Sequence, residues 1–203
     1  MMQKTSVTEA LTRVLEDKHW MRKTLLGGLL LGIPVLFFFA EGYLLQVLRA
    51  TMRGERNKGL PTWRVSESFL LGAKGFVVWL LYYILPALFF WLASLNRGNA
   101  AFATFLTIGI VLTVIATVLL PWGVAIWLST GCVKSAFDIR RLVKVFGFLG
   151  EYLDAFVRCF LLLLFSTGAL FAGFFAATAC MHLFGEVAGK YLEHKENEAI
   201  EAV

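Results

Sequence analysis

The chain has 203 residues, of which 59% are apolar and 16% charged, against roughly 45–50% and about 25% in an ordinary soluble domain. Its mean hydropathy is +0.73. A soluble domain of this size has too little interior to hide that much hydrocarbon, so composition excludes a water-soluble enzyme, a disordered chain and a secreted disulfide scaffold. It points to an integral membrane protein. The net charge of +5, from 19 Lys and Arg against 14 Asp and Glu, suits loops beside anionic headgroups better than a nucleic-acid partner. Cys132, Cys159 and Cys180 are odd in number and form no CxxC, so neither a disulfide framework nor a zinc site is expected.

In chain order, residues 1–23 read as an amphipathic segment with Val7, Leu11, Val14 and Leu15 on one face and Trp20 as an interfacial anchor. No small-residue cleavage pattern precedes the first apolar run, so a cleaved leader is not expected. Four stretches carry no Asp, Glu, Lys or Arg: Thr24–Ala40, Gly75–Asn96, Gly98–Val133 and Cys159–Gly185. A helix needs roughly 20 apolar residues to cross about 30 Å of hydrocarbon. Spans are therefore predicted over residues 24–48, 68–95, 101–130 and 156–186 of a membrane domain covering 24–190. The third stretch is long for one span, which calls for tilt, a late start or a break near Pro121.

Between the spans lie basic elbows, 49–67 and 134–155, and beyond them a polar tail, 191–203. In the second elbow Phe137, Leu142, Val145, Phe146, Leu149, Tyr152 and Leu153 can share one helical face. The expected fold is all-α: four transmembrane helices as two hairpins, with amphipathic interfacial helices at the N-terminal end and in both elbows. The halves share a pattern of proline-bearing helix, basic elbow and cation-led helix, which predicts a parallel repeat. Four spans would put 11 of the 19 cations on the elbow side and 8 on the other, a balance that orients nothing firmly.

Gly42-Tyr43, Arg49, Gly54-Glu55, Leu60-Pro61-Thr62-Trp63, Gly72 and Tyr83-Ile84-Leu85-Pro86 form a recurring kind of pattern, joined later by Ala136-Phe137-Asp138 and Tyr152-Leu153-x-Ala155. In these motifs the chain resembles the prokaryotic multi-pass membrane family designated domain of unknown function 4013, a resemblance that covers roughly residues 10–190. The departure is Arg64-Val65-Ser66, where the family pattern has an acidic, more polar turn. The resemblance implies the architecture and no activity.

Ionisable groups inside a span are costly and draw a functional hypothesis by default. Glu41, leaving the first helix, and Lys74, entering the second, are expected to form a buried ion pair, with a proton or cation site as the alternative. His182, near the end of the fourth helix, is the candidate axial ligand for a haem or pigment; otherwise no cofactor and no metal is expected. Gly28 and Gly32, with Ser166, Ala169, Gly173 and Ala176, supply small residues for close helix packing. Arg53, Arg56 and Lys58 are candidates for lipid headgroups.

No Walker A, HExxH or GxSxG motif occurs, and the expectation is not an enzyme. The leading function is a non-catalytic subunit or scaffold of the inner (cytoplasmic) membrane, partnered by the lipid bilayer and other integral membrane subunits. The alternatives are a carrier or permease for a lipid or small solute, and a pigment- or haem-binding accessory subunit.

Overall fold

The computed structural model describes residues 6–55, 60–166 and 170–201, all helix and connecting turns. The helices are α1 (Val7–Glu16), α2 (Trp20–Leu31), α3 (Phe37–Met52), α4 (Val65–Leu95), α5 (Ala101–Thr130), α6 (Ile139–Leu142), α7 (Leu149–Ser166) and α8 (Leu170–Glu201). Short 3₁₀ turns occupy Val133–Phe137 and Val143–Phe148. Among the described residues three helical stretches are long and apolar enough to cross a membrane: Val65–Leu95, Ala101–Thr130 and Phe171–Tyr191. Contacts divide the chain into two compact units, Met1–Gly75 with Val143–Val203, and Phe76–Leu142.

The first unit is built around α8. Half of its apolar stretch is buried, against 17% for α4 and 11% for α5. Along one side α7 runs antiparallel to it: Cys159 meets Cys180, Tyr152 meets Phe184, and Phe148 stacks on Tyr191. Along another side α3 runs parallel, with Tyr43 against Phe174, Thr51 on His182 and Met52 beside Gly189. The preceding helix travels the other way, Trp20 packing on Phe175 and Gly28 on Phe171. Hence α2 and α3 form a V-shaped hairpin with its apex at 32–36. Ser6 caps α1, accepting from the Glu9 N–H, and α1 buries Ala10 and Val14 in the core that contains Phe174, Ala179, Cys180 and Leu183.

This changes the first and fourth predicted spans. Residues 24–48 are not one helix: α2 ends where the Gly32 and Ile33 N–H groups donate back to the Leu29 and Leu30 carbonyls, and Pro34, lacking an N–H, cannot continue the ladder. Residues 156–186 are likewise two helices, with 167–169 outside the described residues. Other expectations shift less. Instead of a break at Pro121, α5 runs through it, as α4 runs through Pro86; proline is tolerated in membrane-type helices where neighbours satisfy the freed groups.

The second elbow is not a continuous amphipathic helix. It is broken into 3₁₀ and α pieces that bury Val145, Phe148 and Tyr152 and leave Val143 and Phe146 exposed. The tail predicted from 191 continues as α8 to Glu201. Finally, the order hairpin, long helix, long helix, hairpin reads the same from either end, whereas a parallel repeat would preserve it.

In the second unit, Tyr83 Oη and Thr117 Oγ1 lie 2.7 Å apart, Phe90 covers Gly109, Tyr82 lies against Gly123 and Phe89 packs on Phe105, and these contacts pin the two long helices. Gly131, left-handed at φ 73°, ends α5. The chain then folds back so that the Ala136 carbonyl accepts from Tyr82 Oη at 2.7 Å.

Candidate functional site

The polar interior of the first unit is assembled from segments far apart in sequence. On α1, Arg13 sits one residue from the buried Val14 and beside Ala10, so its guanidinium is carried toward the core. There it pairs with Glu186 of α8, whose side chain is 2% exposed, and with Glu9 one turn back at 2.9 Å. A carboxylate this deeply buried stays charged only with a partner.

One turn away from Glu186, His182 Nδ1 lies 2.8 Å from Thr51 Oγ1. Thr51 donates its own hydroxyl hydrogen to the Val47 carbonyl at 2.9 Å, so toward the histidine it accepts. That network assigns the proton to Nδ1 and leaves Nε2 as the bare lone pair, buried and without a hydrogen-bond partner. An axial ligand needs that nitrogen open to a macrocycle. Here protein encloses it.

A second polar knot ties the first elbow to the N-terminal turn. Asp17 accepts from the backbone N–H of Leu60 at 3.0 Å and of His19 at 2.8 Å, while Lys23 Nζ bridges Asp17 at 2.9 Å and the Leu60 carbonyl at 2.8 Å. Both backbone groups of Leu60 are thereby satisfied just before Pro61, which fixes where Trp63 enters. Burial works against ionisation of Asp17, but the Lys23 ammonium and the two N–H groups outweigh it and hold its carboxyl below the ordinary value of 3.8.

Trp63 then stacks on Tyr43, with ring centroids 4.3 Å apart and planes 11° from parallel, and both rings pack on Phe174. Next to Tyr43, Gly42 crosses α4 at Gly72 so closely that a Cβ on Gly42 would sit 1.7 Å from the Ser68 carbonyl oxygen. The Gly-Tyr, Leu-Pro-x-Trp and Gly72 motifs, separate in sequence, are thus one clamp between α3, α4 and α8.

Glu41 does not pair with Lys74. Its carboxylate rests against Gly75, with Oε2 buried and without a hydrogen-bond partner. Adjacent residues on a helix point about 100° apart, so with Gly75 facing Glu41 the lysine is turned to the exposed side.

The small-residue set also divides. Gly28 packs under Phe171 and Ala176 is buried, but Gly32 terminates α2, Gly173 has open space beside it, and Ser166 is occupied with the Leu163 carbonyl; Ala169 lies outside the described residues. Of the headgroup candidates, Arg53 is exposed at the end of α3, and Arg56 and Lys58 lie outside the described residues.

Asp17, Lys23, Arg13 and Glu186 were not singled out from sequence. A signal existed for one of them: Glu186 immediately ends a long uncharged run. Beside the polar interior, an open apolar groove of about 570 Å³ runs between α1, α2, α7 and α8, lined by Leu11, Trp20, Leu25, Leu162, Phe165, Phe171 and Phe175.

These features define the class: an all-helical, membrane-type protein with its charged interior gathered around one helix and its long apolar helices largely uncovered. The chain belongs to the DUF4013 family, described as a protein of unknown function, which it matches over residues 25–181. It matches no curated protein and no solved structure.

Proposed function

We propose that the protein is a non-catalytic subunit or scaffold of the inner (cytoplasmic) membrane that packs against other integral membrane proteins. The observation that supports this is the uncovered surface of α4 and α5. Exposed side chains such as Trp79, Leu80, Ile84, Leu88 and Trp91 on one, and Ile110, Val111, Val114 and Ile115 on the other, present apolar and aromatic area for neighbours. Two paired helices have almost no interior of their own, and packing between helices in lipid rests on such surface contact.

In the first unit, the strongest polar groups are committed to ion pairs and turn-holding hydrogen bonds, which is the chemistry of a support. Purification from native membranes in mild detergent, followed by identification of co-migrating chains, tests the reading. A stoichiometric membrane partner is expected; a monomer under all gentle conditions refutes it.

The apolar groove favours a second reading, a carrier for a lipid. Its volume falls in the roughly 300–1,000 Å³ range of small-molecule sites. Mass spectrometry of lipid retained by the purified protein and by its Leu25→Trp variant distinguishes the two. Retention lost on filling the groove supports the carrier.

A further inference from the structure

We propose that α2–α3 and α7–α8 are re-entrant hairpins that enter the acyl-chain layer and leave it on the same face. On this placement α1, both elbows and the charged end of α8 share the cytoplasmic side, and only the 96–100 loop lies opposite.

The first ground is reach. α2 is free of charge only over Thr24–Leu31 and α7 only over Cys159–Ser166, each about 12 Å long at 1.5 Å per residue, against about 30 Å of hydrocarbon. Although α8 alone is long enough to cross, its antiparallel partner is not. A full crossing would carry the Asp154–Arg158 pair, 2.8 Å apart, toward the bilayer centre, where such groups are expensive.

The second ground is level. Gly75, which opens the uncharged run of α4, touches Glu41, only one turn into α3. Beside it Lys74 is exposed and must reach headgroups. The apex of the first hairpin therefore sits near the face at which α4 enters, not the face at which it leaves. Glu41 is kept from lipid by packing on that glycine.

The third ground is the surface itself. At the first turn and at the end of α7 the exposed side chains are hydrocarbon, with Val35 66% and Phe165 86% exposed, whereas charged groups gather toward the opposite ends of α7 and α8. Acyl chains are the occupant that fits such a surface.

Charge then follows from topology. A hairpin returns the chain to the side it left, so only α4 and α5 change sides. Of 19 Lys and Arg, only Arg97 is left in the far loop, and 18 share one face. That imbalance satisfies the positive-inside rule, which four single-helix spans did not.

The inference needs the membrane but not a partner subunit, so its outcome is separable from that of the proposed scaffold role. Single-cysteine variants of the full chain, made with Cys132, Cys159 and Cys180 replaced, and a variant that keeps Cys132 alone, are exposed in spheroplasts to a membrane-impermeant maleimide. Asn99→Cys is expected to label from outside, while Glu16→Cys, Arg53→Cys and the native Cys132 label only after permeabilisation. Val35→Cys and Phe165→Cys, with Leu29→Cys and Leu164→Cys as second positions should either misfold, are expected to resist the reagent from outside. A bimane attached to them in vesicles should be quenched by spin-labelled lipid. External labelling of Glu16, Arg53 or Cys132, external labelling of either turn, or no quenching overturns the proposal.

Discussion

Replacing Gly42 with alanine puts the crossing of α3 and α4 to a direct test. The added Cβ would stand 1.7 Å from the Ser68 carbonyl oxygen, 2.6 Å from its carbon and 2.9 Å from the Gly72 nitrogen. All three are backbone atoms, which no rotamer change can move aside, so the helices must part by roughly 1.5 Å or more before ordinary contact is restored. Separation also loosens the Tyr43–Trp63 stack next door. The cost belongs at or above the upper end of the ~1–3 kcal/mol typical of overpacking. At about 2–4 °C per kcal/mol for a chain of this length, Tm should fall by about 6–12 °C.

Two buried thiols, Cys159 and Cys180, make a built-in reporter: a thiol-reactive dye follows their exposure during a melt in detergent. Gly147→Ala is the control, since its Cβ would meet nothing within 4 Å, and it should melt within a degree or two of the parent. Gly72→Ala, whose Cβ would lie 1.9 Å from the Phe38 oxygen, should match Gly42→Ala, and the double variant should cost less than the sum because both open the same crossing. If Gly42→Ala melted with Gly147→Ala, the close approach would not exist and the clamp would have to be abandoned.

Two further outcomes follow from the polar interior. Arg13→Met removes the arginine from buried Glu186 and should lower the melting temperature by several degrees, whereas Arg13→Met with Glu186→Gln should recover a large part of it; equal melts for the single and double variants would count against the pairing. The Asp17 carboxyl is held below its unfolded value of about 3.8, so its contribution to stability is full above that value and lost as pH falls through the lower folded value. Melting between pH 6 and 3 should therefore show a steeper acid decline in the parent than in Asp17→Asn, which lacks the group and starts lower.

What was legible in the sequence was whatever composition and length decide. Residues 101–130 were expected as a helix and are one, and 68–95 differs from α4 only by an earlier start at Val65, because long uncharged runs leave hydrocarbon as the only suitable solvent. Proline was not a readable signal by itself. Pro86 and Pro121 sit inside continuous helices while Pro34 sits in a turn, and the difference lies in what packs around them. At Pro34 the preceding Gly32 removes a further restraint, and the chain gains by laying both α2 and α3 against α8.

Hydropathy is also blind to direction: an apolar run that doubles back scores like one that goes straight. The candidate polar site was half visible. Glu41 stood out as an ionisable group among apolar neighbours, but its expected partner follows from rotation about α4, which one residue of phase decides. Arg13 and Glu186 are 173 positions apart, and no local pattern links them.

Part of the pattern that carries the family likeness is buried. Gly42, Tyr43, Leu60 and Gly72 lie within the α3–α4–α8 clamp, and Tyr152 and Ala155 on the face of α7 turned to α8. Such positions tolerate little, since each substitution meets backbone or a stacked ring. These buried positions serve the packing of two hairpins against α8. Residues that set what the protein associates with must be sought where the fold leaves freedom: on the outer faces of α4 and α5, along the groove beside Trp20 and Phe175, and at the open flank of Gly173. A substitution there that leaves the thiol-detected melt unchanged but removes a co-purifying chain separates association from folding, which no change inside the clamp can do.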